Sequence, residues 1–170
     1  VGQISTWYNH KRSAFFHPAV CTDNTPLYPF GHGLSYTTFR YSNLQLNKAS
    51  IPNDGKTPVT ASVTIENTGN RDGVEICQLY INDVVASVAR PVKELKDFRR
   101  VALKAGENRT SEFTITPDKL ALYDLNMKPI VEPGTFEVLV GGSSRDEDLQ
   151  KATYRSTAPH GFPNNEPFVQ

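Results

Sequence analysis

A strict alternation of apolar and polar residues at positions 59–66 is the feature that most restricts the fold of this 170-residue chain. The apolar side chains occupy the odd positions and are Val59, Ala61, Val63 and Ile65. The even positions carry polar side chains, and a turn-prone Asn-Thr-Gly-Asn follows at 67–70. Because successive side chains of a β-strand point to opposite faces, this period of two predicts a strand with one face in a core.

Short apolar runs separated by turn-prone residues continue this pattern from residue 37 to residue 143. Strands are predicted around 39–46, 74–81, 101–103, 111–115, 130–131 and 135–140. The run 74–81 has apolar residues at both odd and even positions, which is typical of a central strand covered on both faces. Pro117 begins a predicted helical turn between two sheets, and Glu132-Pro133-Gly134 predicts the turn of a last hairpin. About seven antiparallel strands in roughly a hundred residues predict an all-β, immunoglobulin or fibronectin type III-like β-sandwich.

The segments on either side of these strands lack the alternation. Residues 1–12 begin with a β-prone stretch that has no partner strand nearby, which predicts an extended amino-terminal arm. Residues 13–36 are irregular and rich in proline, glycine and aromatic residues, so we expect them to wrap over a surface between two bodies. Residues 144–170 are polar and then proline-rich, which predicts a tail laid over a surface or partly disordered.

The charge balance disfavours some classes of partner. Eighteen basic and eighteen acidic side chains give a formal net charge of zero, so no excess field attracts nucleic acid or anionic lipid. No apolar run approaches the roughly 20 residues that cross a bilayer, so we expect no membrane insertion. The chain starts at Val1 with neither an initiator methionine nor a signal peptide, and we expect it to continue upstream.

Histidine and cysteine residues near the amino terminus carry groups that can bind a metal ion. His10, His17 and Cys21 lie close in sequence and carry the imidazole and thiolate groups that zinc prefers. Their spacing matches no standard zinc site, so we predict no metal site and no cofactor. Cys21 and Cys77 form a single pair rather than a disulfide framework, and we expect two free thiols.

Three carboxylates, Asp83, Glu94 and Asp97, are grouped around a predicted loop at 83–97. We interpret them as loop caps and surface ion pairs rather than as a catalytic pair. Their expected partners in the same stretch are Arg90, Lys93 and Lys96. A small β-sandwich also offers no obvious deep cleft for catalysis.

Aromatic residues crowd the first 36 positions of the chain. They are Trp7, Tyr8, Phe15, Phe16, Tyr28, Phe30 and Tyr36. Such rings can stack on sugars, and they can also anchor a segment that packs against another domain. We favour interdomain packing, because the adjacent Phe15 and Phe16 and the proline-flanked Tyr28 resemble anchors of a wrapping segment.

The tripeptide Asn108-Arg109-Thr110 fits the N-glycosylation acceptor pattern at a predicted turn-to-strand position. One match of this length is expected by chance in a chain with this many asparagines. Whether Asn108 carries a glycan is left open.

Four stretches go beyond generic pattern. They are 1–11, from Val-Gly-Gln-Ile to Tyr-Asn-His-Lys; 26–39, Pro-Leu-Tyr-Pro-Phe-Gly-His-Gly-Leu-Ser-Tyr-Thr-Thr-Phe; 78–98, which includes Ala-Arg-Pro-Val-Lys-Glu-Leu-Lys; and 126–136, which ends in Val-Glu-Pro-Gly-Thr-Phe. In this order, and over most of residues 1–145, they resemble the carboxyl-terminal part of family 3 glycoside hydrolases. The pattern resembles that of bacterial periplasmic β-glucosidases. Ser5, Asp97 and Pro129 depart from the usual pattern and leave the subfamily open.

The resemblance implies four parts. Residues 1–12 would be the last strand of a preceding α/β sandwich domain, and 13–36 an interdomain linker. Residues 37–143 would form the fibronectin type III-like domain, and 144–170 a tail. Packing against upstream domains is then expected at Tyr28, Phe30, Leu34, Tyr36, Arg90, Leu95 and Phe98.

The resemblance also implies that the chemistry takes place elsewhere. Retaining enzymes of this kind release terminal β-D-glucosyl residues by a double displacement that needs two carboxyl groups. The aspartate nucleophile, on a barrel domain, and the glutamate acid/base, on the α/β sandwich domain, are both expected upstream of Val1. This chain would supply no catalytic residue, and its partners would be those domains and, through them, an oligosaccharide. A periplasmic or secreted bacterial enzyme is implied, with β-xylosidase activity and homodimer formation left open.

Two other hypotheses stay open beside scaffolding of the upstream domains. The chain could be a free-standing carbohydrate-binding or adhesion module whose aromatic residues at 7–36 form the binding face. It could also be one part of a split or processed enzyme that stays associated with its catalytic partner.

Overall fold

The computed structural model describes residues 7–11, 26–51, 57–157 and 160–161. Within these ranges the regular structure is almost entirely strand, with one short α-helix and one 3-10 turn at Asp146–Asp148. The helix, α1, spans Pro117–Leu120. The strands are β1 (Phe39–Leu46), β2 (Ser50–Ile51), β3 (Val59–Asn67), β4 (Gly73–Asp83), β5 (Glu94–Leu103), β6 (Asn108–Ile115), β7 (Leu122–Tyr123), β8 (Pro129–Val131), β9 (Gly134–Gly141), β10 (Leu149–Ser156) and β11 (His160–Gly161).

Two larger sheets and one small sheet contain these strands. The first has the order β1-β3-β6 and the second the order β2-β10-β9-β4-β5. All their pairings are antiparallel except that of β2 with β10. The small sheet has the order β11-β8-β7. The prediction of an all-β sandwich of the fibronectin type III-like class is confirmed.

The hydrophobic core lies between the two larger sheets. On β3, the four apolar residues of the alternating run are at most 1% exposed, while the polar residues between them are only half-buried. They form one cluster with Phe113 of β6 and with Cys77, Leu79 and Val138 from the five-stranded sheet. The period of two therefore identified the strand and the face that it buries, as expected when apolar surface is removed from water on one side only.

The prediction of a strand covered on both faces holds for only part of β4. Every residue from Cys77 to Asp83 is buried, so that half of the strand is covered on both sides. Val74 and Ile76, however, are 38% and 41% exposed. At the start of β4 the outer face of the sheet is open, and the apolar residues there are surface residues.

The predicted hairpin between 130–131 and 135–140 is wrong. β8 pairs with β7 and β11 in the small sheet, whereas β9 pairs with β4 and β10. Since both edges of β9 are already occupied, β8 has no free edge to join. Glu132-Pro133-Gly134 therefore carries the chain from one sheet to another rather than reversing it within a sheet.

The prediction of an irregular tail from residue 144 fails for β10. This strand pairs with β9 along its whole length, from Leu149 opposite Gly141 to Ser156 opposite Gly134. Its inward positions are Ala152, Tyr154 and Ser156, so the hydrophobic alternation is too weak to recognise in the sequence. Residues 162–170 of the predicted tail lie outside the described part.

Two smaller expectations concern the connections. The helical turn predicted at Pro117 is present as α1, with proline in its first turn, where the missing N–H costs no hydrogen bond. The loop predicted at 83–97 is shorter, because β4 includes Asp83 and β5 begins at Glu94. None of the helical turns in the described ranges has the length and apolar character of a membrane-spanning segment.

The position of Tyr154 allows a test of whether β10 belongs to the folded domain. Tyr154 is 2% exposed and its ring lies 6.0 Å from that of Phe136. Tyr154→Ala should lower the free energy of unfolding by about 3–5 kcal/mol, since it removes a large ring from the core. Denaturant unfolding measures this, with Thr153→Ala on the exposed face of the same strand as control. Equal, small effects of both variants would mean that residues 149–156 are a detachable tail.

Candidate docking surface

The amino-terminal arm lies along the loop between β4 and β5. Lys11 forms an isolated antiparallel bridge with Pro91, and the Val92 N–H donates to the His10 carbonyl at 2.9 Å. The Leu95 N–H donates to the Tyr8 hydroxyl at 3.3 Å. Residues 7–11 are therefore bound to the sandwich by backbone hydrogen bonds, although residues 1–6 of the predicted strand lie outside the described part.

An aromatic stack joins the arm to the segment 26–36, which we call the connecting segment. The rings of Tyr8 and Phe30 are stacked, with centroids 4.1 Å apart and an interplanar angle of 15°. The ring of Tyr8 also meets Tyr80 of β4 edge-on, at 5.9 Å and 68°. Offset and edge-to-face arrangements of this kind stabilise aromatic pairs by about 0.5–1.5 kcal/mol beyond the area they bury. Tyr8 therefore links three separate parts of the chain.

The backbone of the connecting segment is fixed to the sheet by polar contacts. The Ser144 N–H donates to the Phe30 carbonyl at 2.8 Å. The Gln78 amide donates to the Gly31 carbonyl at 3.1 Å and to the Gly142 carbonyl at 2.7 Å, and its oxygen accepts from the Tyr80 hydroxyl at 2.5 Å. Gln78 is 4% exposed, so these bonds are shielded from water. The one sign of this contact in the sequence is a polar residue, Gln78, within the apolar run of β4.

The side chains of the connecting segment face outward although its backbone is fixed. Leu34 is 92% exposed, Tyr36 90%, Leu27 82% and Tyr28 68%. Trp7 on the arm is also 68% exposed. Single exposed apolar residues are common, but several large ones on neighbouring segments mark an interaction site.

The loop 84–93 is held by backbone and side-chain contacts near its start. The Val84 N–H donates to the Thr135 carbonyl at 3.1 Å, and the Ser87 N–H donates to Glu132 Oε2 at 2.9 Å. The Ser87 hydroxyl donates to the other oxygen of the same carboxylate. Val85 between them is 76% exposed. The loop therefore presents an apolar side chain from an ordered backbone.

Charged side chains hold the other end of this loop. Arg90 pairs with Glu94 at 2.6 Å, with both side chains partly buried. Lys93 is 9% exposed, and its ammonium donates to the Ser144 carbonyl at 2.8 Å and to the Asp146 carboxylate. A buried ammonium with two oxygen partners costs much less than an unpaired one. We use the name docking surface for the exposed side of residues 7–11, 26–36 and 84–93 together.

The three carboxylates noted in the sequence have different environments. Glu94 pairs with Arg90 and with Lys96, the latter at 3.3 Å. Asp97 pairs with Arg99 at 3.0 Å and with Lys119 at 2.9 Å. These two fit the interpretation as ion pairs, although the partners of Asp97 are not those expected.

Asp83 does not fit the ion-pair part of that interpretation, although the Val85 N–H donates to its carboxyl group as in a loop cap. Its side chain is at the end of β4 and the residue is only 8% exposed. Burial raises the pKa of this carboxyl to about 6, and the nearby Arg90 opposes that shift. A surface ion pair is therefore the wrong description of Asp83.

The residues predicted for interdomain packing do not all lie together. Phe30 and Leu95 both contact Tyr8, and Tyr28 lies beside His32, with ring centroids 5.5 Å apart. Arg90 is in the ion pair of the loop. Phe98, which is 60% exposed, lies on β5 and outside the docking surface as defined here. Sequence reasoning missed Gln78, which binds the connecting segment. It expected Lys93 to pair with the carboxylates of the loop, whereas Lys93 contacts Ser144 and Asp146.

The cysteine and metal predictions can be checked only in the described part. Cys77 is a free, buried thiol, and burial raises its pKa to about 12. Cys21 and His17 lie outside the described residues. Among the residues that are described, no group of three or more histidine, cysteine, aspartate or glutamate side chains could hold a metal ion.

An open groove of about 1300 Å³ is lined partly by residues of the docking surface. Rings and polar side chains both line it, including Trp7, Tyr28, Asn82, Glu137 and Arg145. The Asn82 side chain donates to Glu137 Oε2 at 2.8 Å. A mixture of rings and hydrogen-bonding groups is compatible with a sugar as well as with a polypeptide.

A profile of the fibronectin type III-like domain matches residues 75–144. A periplasmic β-glucosidase of Salmonella typhimurium is 43% identical over an alignment of 158 residues that covers 85% of this chain and 20% of that protein. A β-xylosidase of Formosa agariphila is 47% identical over 129 residues, covering 76% of this chain and 18% of that protein. The solved structure of a β-glucosidase from Erythrobacter marinus superposes with a TM-score of 0.85 and 40% identity, covering 92% of this chain and 20% of that one.

This chain carries the fibronectin type III-like domain of a family 3 glycoside hydrolase. It spans about a fifth of the length of the relatives that it matches. The matches to these relatives cover 85% and 92% of this chain, which is more than residues 75–144. The similarity therefore includes residues of the arm or of the connecting segment.

Gly31 tests the anchoring of the connecting segment. Its φ is +79°, and a Cβ there would lie 2.0 Å from Gln78 Oε1. Gly31→Ala should lower the free energy of unfolding by about 1–3 kcal/mol, because it strains the backbone and displaces the Gln78 amide from its partners. Thermal unfolding measures the change. In Gly33→Ala, the control, an added Cβ meets nothing within 4 Å, so an equal loss in both variants would contradict the proposed anchor.

Proposed function

We propose that this chain is the non-catalytic carboxyl-terminal part of a retaining β-glucosidase, and that its docking surface holds the upstream catalytic domains in register. The names of the relatives support the activity: they are β-glucosidases and β-xylosidases. Their greater length supports the existence of further domains. The scaffolding role is argued from the geometry of the docking surface.

One observation carries the proposal: large apolar side chains are exposed on a backbone that is held rigidly. The Phe30 and Gly31 carbonyls are bound by Ser144 and Gln78, whereas Leu34 and Tyr36 are at least 90% exposed. Such an arrangement presents a preformed apolar surface, so that little conformational entropy is lost when a partner covers it. Interfaces between domains of one chain are typically about 600–1,500 Å² and bury residues of this kind.

The contribution to catalysis would be indirect. Glycosidic cleavage with retention needs two carboxyl groups about 5–5.5 Å apart, and we propose that both are supplied upstream of Val1. A displacement of about 1 Å in a catalytic group can reduce the rate about a hundredfold, so a domain that fixes the relative position of its neighbours affects turnover. The substrate would be an oligosaccharide with a terminal β-D-glucosyl residue, and the Salmonella relative supports a periplasmic or secreted location.

The docking surface can be tested in the full-length enzyme that contains this chain. Leu34 and Leu125 are matched for exposure, at 92% and 90%, but only Leu34 lies on the docking surface. Leu34→Ser should lower the melting temperature of the full-length enzyme, because it removes about 1–2 kcal/mol of apolar burial. Activity at elevated temperature should fall with it. Leu125→Ser is the control and should change neither property.

The same two variants in the isolated chain provide a second control. Neither leucine is packed in this chain, so neither substitution should change its stability. A loss of stability with Leu34→Ser in the isolated chain would mean that the residue acts within the sandwich. No difference between the two variants in the full-length enzyme would contradict docking through Leu34.

The isolated chain should not hydrolyse an aryl β-glucoside, because the carboxyl groups for the double displacement are proposed to lie elsewhere. The measurement is the release of nitrophenol by the purified chain against the full-length enzyme at equal concentration. Turnover by the chain alone would overturn the proposal. Titration with cello- and laminari-oligosaccharides tests the alternative of a free-standing carbohydrate-binding module. Saturable binding in the groove would favour that alternative over scaffolding.

A further inference from the structure

A buried carboxylate lies at the base of the loop 84–93. Asp83 is the last residue of β4, and the next residues leave the sheet. Its Oδ2 atom is buried and has no hydrogen-bond partner among the described residues, whereas the Val85 N–H donates to the same carboxyl group. An ionised oxygen in this position is costly, because it has lost its water and gained no donor.

The charges that face Asp83 come from three parts of the structure. Arg90 belongs to the loop, Glu94 begins β5, and Glu132 precedes β9. Arg90 is already paired with Glu94 at 2.6 Å, and Glu132 accepts from Ser87. Arg90 and Glu94 are therefore committed to each other and Glu132 to Ser87, and these contacts hold the loop.

We propose that Asp83 is a pH-sensitive positioning residue, which in its neutral form lets the loop 84–93 keep this conformation and on ionisation draws Arg90 away from Glu94. Loosening of the loop would then weaken docking of the upstream domains. This inference rests on the proposed function, because the loop is part of the docking surface. It adds that the contact between domains responds to acidity.

The direction of the pH dependence follows from the burial of this carboxyl. Its pKa is raised from 3.8 to about 6, with burial as the largest cause and Glu132 and Glu94 as further ones. The folded state therefore binds a proton more tightly than the unfolded state does. The resulting stabilisation is fully present below a pH of about 4 and is lost as the pH rises through about 6.

Hydrogen–deuterium exchange of the full-length enzyme tests this inference. Peptides covering 84–93 should lose about tenfold in protection, corrected for intrinsic exchange, between about pH 5 and about pH 7.5. Asp83→Asn keeps the shape of the side chain and cannot ionise, so its loop should be equally protected at both values. Glu94→Gln releases Arg90 to pair with Asp83, so its change in protection should occur at a lower pH.

Asp118→Asn is the matched control, because Asp118 is an exposed aspartate on α1, away from the loop. It should keep the pH response of the unaltered enzyme. Loop protection that does not depend on pH in the unaltered enzyme would overturn the inference, and so would an unaltered response in Asp83→Asn. These exchange measurements test only the pH response of the loop. The proposed docking function is tested separately, by the melting temperature of Leu34→Ser.

Discussion

The buried side chain of Gln78 is the contact on which the geometry of the docking surface depends. Its amide nitrogen donates hydrogen bonds to the carbonyls of Gly31 and Gly142, and its oxygen accepts one from the Tyr80 hydroxyl. Because an amide is planar and its partners Gly31, Gly142 and Tyr80 lie on separate segments, the connecting segment is held against the sheet at Gly31. Tyr28 and Leu34 therefore lie on a segment whose backbone is held to the sheet by a buried polar side chain.

The sequence predicted the parts of the fold that depend on local periodicity. β3 was identified with its buried face because Val59, Ala61, Val63 and Ile65 alternate with polar residues over a whole strand. The turn of α1 followed from one proline at a position that favours it. β10 was missed because Ala152 and Ser156 fill inward positions with little apolar surface, so its place is set by pairing with β9 rather than by its own pattern.

The docking surface could be predicted only in part, since its residue types are visible in the sequence but their neighbours are not. The resemblance pointed to Tyr28, Phe30 and Leu95, and the structure brings the last two together through Tyr8. Asp83 looked like a surface group because lysines and arginines follow it closely. Its burial depends on the pairing of β4 with β9, where Asp83 lies opposite Phe136. A short-range sequence pattern contains no information about a partner so far away in the chain.

The contacts of Tyr8 with Phe30 and Tyr80 show that the folded unit extends beyond residues 75–144, which match the domain profile. A recombinant fragment cut to residues 75–144 would lose β1, β3, β10, the Tyr8 ring that contacts Tyr80 and the Phe30 ring that stacks on Tyr8. Exposed strand edges and a bare aromatic face favour self-association of such a product. Expression boundaries for this domain should therefore be chosen upstream of Trp7 and downstream of Ser156, so that the sheet keeps its own cover.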